Sequence, residues 1–252
     1  MENNVPKPLS AASAPLGDDS LAGQAVDRSL ERRRAAARGE VERLISAALV
    51  VIERSGKVEP KVSDILAEAG LSNQAFYRHF RGKHELLVAV LDRGIRELAS
   101  YLARRMAAAD APSEAIREWI RGMAAQAQSP TGARATRPFA LARGRIAEKL
   151  PEEVARTQAL VTAPLREALE AAHASGALPA VDPERDAEAL YHLMMGWVEA
   201  RLMETQRPEA SEVTRLESFA MAGLGRAVSR GAGADQGGSS ANEPATGGDT
   251  PQ

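Results

Sequence analysis

The sequence predicts an all-α protein that begins with a three-helix helix-turn-helix domain and continues as a longer helical region. Along most of the 252-residue chain, apolar residues recur at spacings of three and four, as on one face of a helix. Gly, Pro, Asp-Pro and Ser-Pro signals fall between these segments and divide them into individual helices. No segment shows the alternating pattern that is typical of a strand.

The first three predicted helices are short or end sharply. The first spans about Arg38 to Arg54 and ends at Ser55-Gly56, where glycine favours a stop. The second spans about Val62 to Ala69 and ends at Gly70. After a short turn, the third runs from about Asn73 to His79 with Ser72 placed as its N-cap. Two short helices joined by a tight turn predict a helix-turn-helix.

The remaining predicted helices are mostly longer, and their sequences are typical of amphipathic or buried helices. Two loops interrupt them, SPTGARATRP and ALPAVDP, because both contain Pro with other turn residues. The predicted ranges are about Lys83 to Ala109, Pro112 to Gln126, Ala140 to Leu150, Glu152 to Ser175, Pro183 to Gln206 and Ala210 to Ser229.

The two ends of the chain differ from this helical middle. Residues 1–27 are rich in Pro, Ser, Ala and Gly, and residues 230–252 more so, which predicts disorder at both ends. The longest apolar runs are about six residues, whereas a membrane-spanning helix needs roughly 18–20. There is no cysteine and no secretion-signal pattern. We therefore interpret the chain as a cytoplasmic protein without a membrane partner.

The third helix carries an unusual share of the aromatic residues. Phe76 and Phe80 are four residues apart and share one helical face, so we expect them to pack this helix against the first two. Asn73, Gln74, Tyr77 and Arg78 lie away from that face. One side of the helix would therefore pack, and the other would present polar groups to the DNA major groove.

The segment VSDILAEAGLSNQAFYRHFRGKHELL resembles the DNA-binding signature of the TetR/AcrR family of bacterial transcriptional regulators. The resemblance covers about Val41 to Leu91. It depends on Ala69-Gly70, Ser72, Phe76-Tyr77, His79-Phe80, Lys83 and Leu86-Leu87 falling in the order of the family pattern. It implies a DNA-binding domain at residues 28–85, and a helical domain at 86–229 that binds an effector and forms a homodimer.

The resemblance also implies which residues contact DNA. Asn73, Gln74 and Tyr77 would face bases or phosphates, His79 would hold the helix or touch a phosphate, and Lys83 would bind the backbone. Val62 departs from the pattern, because the family often has Thr or Ser there, so that contact would fall to Lys61 or a backbone amide. The full predicted set is Lys61, Ser72, Asn73, Gln74, Tyr77, Arg78, His79 and Lys83.

Charge is unevenly distributed, although the net charge is only -2. Residues 28–83 contain 12 Lys or Arg against 7 Asp or Glu, while residues 182–217 contain 4 against 9. A basic N-terminal part favours phosphates, and an acidic C-terminal part is kept off the DNA. Arg32, Arg33 and Arg34 fit either a minor-groove arm or a solvated helical extension.

The C-terminal half contains candidates for an effector pocket and a dimer interface. An adaptable apolar lining favours Trp119, Met123, Phe139, Tyr191 and Met195, although the same residues could simply fill a helical core. The last two helices carry small residues that allow close helix approach, which predicts a four-helix dimer interface. These small residues are Gly196, Ala200, Ala220, Ala222 and Gly223.

No pattern indicates an enzyme, a cofactor or a metal site. The sequence has no phosphate-binding loop, dinucleotide-binding glycine pattern or elbow serine. His79 and His84 are five residues apart and do not share a helical face. The resemblance to the TetR/AcrR family implies a dimeric, ligand-responsive transcriptional repressor acting on double-stranded DNA. The alternative is a helical DNA-binding or interaction protein that works through a protein partner without a small-molecule effector.

Overall fold

The computed structural model describes residues 20–204 and 207–226, and these residues form helices without any strand. In chain order, the helices are α1 (Leu21–Ser55), α2 (Val62–Ala69), α3 (Asn73–His79), α4 (Lys83–Ala107), α5 (Pro112–Gln128), α6 (Pro130–Leu141), α7 (Arg143–Lys149), α8 (Pro151–Ala174), α9 (Pro183–Met203) and α10 (Ala210–Leu224).

Local capping signals explain the ends of the first three helices. Gly56 and Gly70 follow α1 and α2 in the left-handed region, with φ of 68° and 62°. The Ser72 hydroxyl accepts a hydrogen bond from the Ala75 amide at 3.2 Å and caps α3. The predicted bounds of α2 and α3 agree with the observed ones.

Helix α1 is much longer than the sequence predicts. It begins at Leu21 instead of about Arg38, so residues 21–27, which we expected to be disordered, are helical. The Ser20 hydroxyl accepts from the Gly23 amide at 2.9 Å, and the Ala- and Arg-rich segment that follows favours helix. The rest of the two predicted disordered ends, residues 1–19 and 230–252, lies outside the described residues.

The predicted loop SPTGARATRP is also wrong, because this segment forms most of α6. Ser129 caps the helix by accepting from the Gly132 amide at 3.3 Å, and Pro130 occupies the first turn. Proline is favoured at that position because its missing N–H would have no partner there. The Ser-Pro pair therefore starts a helix here, and α6 and α7 replace the single helix predicted from Ala140 to Leu150.

The described residues form two main hydrophobic cores, and α4 contributes to both. The N-terminal core contains Leu44, Ile52, Ile65, Phe76, Phe80, Leu86 and Val90, and also Ala142, Ile146 and Leu150 from the α6–α8 region. The C-terminal core contains Leu102 and Met106 of α4 with Trp119, Met123, Leu165, Tyr191 and Met194. The N-terminal helices are therefore packed together with α7, and one continuous helix joins the two cores.

Candidate DNA-binding interface

The inner face of α3 is anchored by two phenylalanines. Phe76 is completely buried and Phe80 nearly so, and their ring centroids lie 5.8 Å apart. Both belong to the N-terminal core with Leu44 of α1 and Ile65 of α2. Tyr77 stacks edge-on against Phe76 at 5.1 Å but points outward. Burying two aromatic rings fixes α3 on the first two helices.

The outer face of α3 is polar and open to solvent. Asn73, Gln74, Tyr77 and Arg78 are all exposed, and Tyr77 keeps 59% of its surface accessible. Ser72, Lys61 and Lys83 are exposed as well. The helix thus presents amide, phenol and guanidinium groups together, which are the donors and acceptors that contact base edges and phosphates. We call α3 the recognition helix.

The end of the recognition helix is tied to α1 by Glu40. Its Oε2 atom lies 2.7 Å from His79 Nε2 and accepts from Arg78 Nη1 at 3.2 Å. The hydrogen bond with His79, followed by the nearby positive charge of Arg78, lowers the pKa of Glu40. His79 is therefore placed to hold the helix and only 9% of its side chain is exposed.

Lys83 starts α4 and shares a carboxylate with a lysine from another part of the chain. Glu59, between α1 and α2, lies 3.1 Å from Lys83 Nζ and 2.7 Å from Lys149 Nζ of α7. Hydrogen bonds from Lys149 and then Lys83 lower the pKa of Glu59 to about 2. Lys83 remains more than half exposed, so its ammonium can also face a phosphate. Sequence reasoning missed Glu40, Glu59 and Lys149.

Arg32, Arg33 and Arg34 lie on the N-terminal part of α1 and are exposed. The structure places them on a continuous helix, so the backbone there is not an extended arm. Contact with DNA and exposure to solvent alone both remain predictions for these three arginines.

Four of the five residues expected to line an effector pocket pack in or against the C-terminal core, and Phe139 lies apart from them. Trp119 and Met123 are fully buried in the C-terminal core, and the Trp119 indole donates to the Val161 carbonyl at 3.0 Å. Tyr191 and Met195 pack in or against the same core, whereas Phe139 packs against the N-terminal one.

Two surface grooves run beside α4 and contain none of these five residues. One, of about 700 Å³, lies between α1 and α4 and is lined mainly by charged side chains. The other, of about 440 Å³, lies between α4 and α8. Its lining combines apolar residues with three arginines and two carboxylates, Asp92 and Glu153, a pattern that no spacing in the sequence indicated. The apolar residues include Val88, Leu91, Leu160 and Ala163.

The outer faces of α9 and α10 leave small and apolar residues exposed. Gly196, Ala200, Ala222 and Gly223 are accessible, whereas Ala220 faces the C-terminal core. Phe219 and Met203 are exposed by 69% and 56%. Glu217, which the sequence did not single out, accepts from Arg117 at 2.8 Å and from Arg121 at 2.7 Å and fixes α10 on α5.

Metal sites and membrane spans are both absent from the part of the chain that the structure describes. Residues 20–204 and 207–226 contain no cluster of His, Cys, Asp or Glu that could hold a metal ion. Within the same residues, no helix combines the length and the apolar character needed to cross a membrane.

Comparison with known proteins agrees with this geometry. The family described as bacterial regulatory proteins, tetR family, matches residues 44–90, which contain the C-terminal part of α1, all of α2 and α3, and the start of α4. No curated protein sequence is a significant match.

Solved structures share the fold along most of the chain. A putative TetR-family transcriptional regulator from Rhodococcus sp. is 20% identical, with a TM-score of 0.62 over 74% of this chain and 99% of that one. The fatty acid degradation regulator FadR from Bacillus halodurans is 16% identical, with a TM-score of 0.61 over 72% and 94%. FadR from Bacillus subtilis, solved with stearoyl-CoA, is 15% identical, with a TM-score of 0.59 over 74% and 98%.

Residues 44–90 therefore form a helix-turn-helix that matches the tetR family of bacterial regulatory proteins, with its polar face exposed to solvent.

Proposed function

We propose that this protein is a TetR-family transcriptional regulator, a ligand-responsive repressor that binds a palindromic operator as a homodimer in the bacterial cytoplasm. The observation that carries the proposal is the two-sided recognition helix, with Phe76 buried and Tyr77 exposed at adjacent positions. A rigid inner face with a polar outer face is what base readout in the major groove requires. Residues 28–85 form the proposed DNA-binding domain, and 86–229 the effector and dimerisation domain.

Homodimerisation would use the exposed faces of α9 and α10. Phe219 and Met203 are large apolar side chains on the surface, and Gly196 and Ala200 leave room for a helix to approach closely. A second copy of this face would bury these residues in a four-helix arrangement. Two recognition helices about one turn of DNA apart would then read two half-sites.

The groove between α4 and α8 is the proposed effector site. FadR from Bacillus subtilis is solved with stearoyl-CoA, a ligand with a long apolar chain and anionic groups. Here apolar residues that include Leu91 and Leu160 line the groove together with Arg96, Arg156 and Arg166. Each arginine pairs with a carboxylate that an anionic ligand would have to replace: Asp92, Glu153 and Glu184. A ligand that favours a wider spacing of the two recognition helices would lower operator affinity by shifting the population.

The first experiment is selection of random double-stranded DNA by the purified protein at near-physiological salt. We expect an enriched palindrome with two half-sites that Tyr77→Ala fails to select, because removing one base-reading side chain costs about 1–3 kcal/mol. His173→Ala, an exposed aromatic substitution on the C-terminal domain, is the matched control. No enrichment, with weak binding that vanishes as salt rises, would instead favour a protein acting through a protein partner.

The dimer is tested separately by light scattering. Phe219→Glu should convert the dimer to a monomer, since a charge cannot be buried at the centre of an apolar interface without a partner. Leu141→Glu is a matched control on another surface, because Leu141 is also exposed, by 49%. A Phe219→Glu protein that remains dimeric would exclude this face as the dimer interface.

The effector groove is tested by adding stearoyl-CoA to the complex with the selected operator. We expect stearoyl-CoA to release the operator, and to release less of it from the Arg156→Gln variant.

A further inference from the structure

The N-terminal part of α1 extends from the protein without being buried. Leu44 is the first buried residue of this helix, and residues 21–39 precede the turn that contacts the recognition helix. At about 1.5 Å per residue, this extension is roughly 28 Å long. Because helices in proteins gain most of their stability from tertiary packing, and residues 21–39 include no buried residue, a binding partner would stabilise the extension.

The extension is strongly basic and its arginines lack carboxylate partners. Residues 28–38 contain five arginines and one acidic residue, Glu31. Within the part of the chain that the structure describes, none of these five forms an ion pair, and the only side-chain bond among them runs from Arg32 Nε to the Arg28 carbonyl. Three arginines farther along the chain, on α1, α3 and α4, in contrast pair with glutamates: Arg54, Arg78 and Arg93.

The arginines also point in several directions. At about 100° per residue, Arg28 and Arg32 share one side of the helix, Arg34 and Arg38 share a second, and Arg33 occupies a third, roughly 120° apart. Any surface that lies alongside the extension therefore meets at least one guanidinium. Such an all-round distribution suits a polyanion that carries charge along its whole length.

The position of the extension indicates which polyanion it meets. Glu40, at its C-terminal end, contacts Arg78 and His79 at the end of the recognition helix. Arg32, Arg33 and Arg34 lie six to eight residues before Glu40, which is roughly 9–12 Å along the axis. DNA that receives the recognition helix in its major groove would therefore continue past these arginines.

We propose that residues 21–39 of α1 form a second DNA-contacting element, which binds phosphates outside the half-site read by the recognition helix. This inference rests on the proposed function. A helix of roughly 10–12 Å diameter is too wide for a minor groove of about 6 Å, so the contact is with the phosphate backbone. It adds affinity without sequence preference, because phosphate contacts position the protein and carry no base information.

The test compares the wild-type protein with Arg32→Gln/Arg33→Gln/Arg34→Gln on the selected operator. The control, Arg145→Gln/Arg185→Gln/Arg215→Gln, removes three exposed charges from the C-terminal domain. Each protein is titrated with operators carrying two or twelve flanking base pairs, at several salt concentrations. Glutamine keeps the helix propensity, and circular dichroism checks that helix content is unchanged.

We expect the wild-type protein and the control to bind the longer duplex more tightly, and the triple variant to bind both duplexes equally. The salt slope should fall by about 0.9 for each phosphate that the variant no longer neutralises. If the wild-type protein selects an operator but the triple variant keeps both the flank dependence and the slope, the extension does not contact DNA. A wild-type protein that selects no sequence contradicts the proposed function itself, and with it this inference.

Discussion

Glu40 and His79 join the first helix to the end of the recognition helix, with 2.7 Å between Glu40 Oε2 and His79 Nε2. The two residues are 39 positions apart, and the same oxygen also accepts from Arg78. Since Phe76 anchors the inner face of this helix, Glu40 supplies a second, polar attachment at its C-terminal end. The orientation of the outer, polar face of the recognition helix therefore depends on a residue of another helix.

Glu40→Gln should weaken operator binding more than it weakens binding to random DNA. Because losing a hydrogen bond to a charged group weakens an equilibrium roughly tenfold, we expect a loss of about that size in operator affinity. The pKa of Glu40 is lowered in the folded protein, so its stabilising effect is present above the ordinary carboxyl range and is lost as pH falls through the lowered pKa. Fluorescence anisotropy with both DNAs checks this. Glu42→Gln, which removes only the exposed pair with Arg93, should have little effect.

Glu59 should contribute to the free energy of unfolding by an amount that depends on pH. Its pKa falls from 4.5 to about 2 on folding, so the contribution is complete above pH 4.5 and disappears as pH approaches about 2. We expect Glu59→Gln to cost about 1 kcal/mol at pH 7, since a pair that is one-third exposed is screened by water. Urea unfolding at pH 7 and pH 3 measures the difference, which should shrink at pH 3. Glu148→Gln, exposed on α7, is the control; a pH-independent difference would contradict the assignment.

Lys149→Met should weaken DNA binding although Lys149 lies on α7. Its removal leaves Glu59 to Lys83 alone, so the carboxylate neutralises Lys83 and repels a nearby phosphate. We expect a severalfold loss of affinity at low salt that fades as salt rises, because the effect is electrostatic. Arg145→Met, on the same helix, removes the same charge without touching Glu59. Equal losses of affinity in the two variants would mean that the effect comes from the lower net charge and not from Glu59.

Substitutions of Ser72 should separate helix capping from DNA contact. Ser72→Ala removes the bond to the Ala75 amide and should cost about 1 kcal/mol of stability. Ser72→Asp keeps a capping oxygen and should retain stability, but it places a negative charge on the exposed face of the recognition helix. Urea unfolding and operator titration of both variants give the comparison. If Ser72→Asp binds DNA as tightly as the wild type, Ser72 does not contact DNA.

The sequence predicted the features that depend on neighbouring residues. Gly70 and Ser72 lie within a few residues of the helix ends they control, so the bounds of α2 and α3 were correct. The Ser129-Pro130 pair was ambiguous, because the same two residues can break a helix or start one.

Contacts between distant residues could not be predicted in the same way. Glu59 and Lys149 are 90 positions apart, and no periodicity joins them. Trp119 illustrates a different limit: its helical face indicates burial, but a packed core and a pocket wall bury a side chain equally well. Only the hydrogen bond to Val161 and the surrounding core place it in the interior.

Packing of Ile146 and Leu150 in one core with Phe80 and Leu86 bears on how segments of this protein can be exchanged with those of another protein of the same fold. A hybrid joined near residue 85, with the first three helices of one regulator and the remainder of another, would divide this N-terminal core between two unrelated sequences. Large-to-small mismatches at such sites cost about 2–5 kcal/mol each. A stable exchange would have to transfer the packing surface of α7 together with the first three helices. The part of the chain that must be exchanged is therefore discontinuous in sequence.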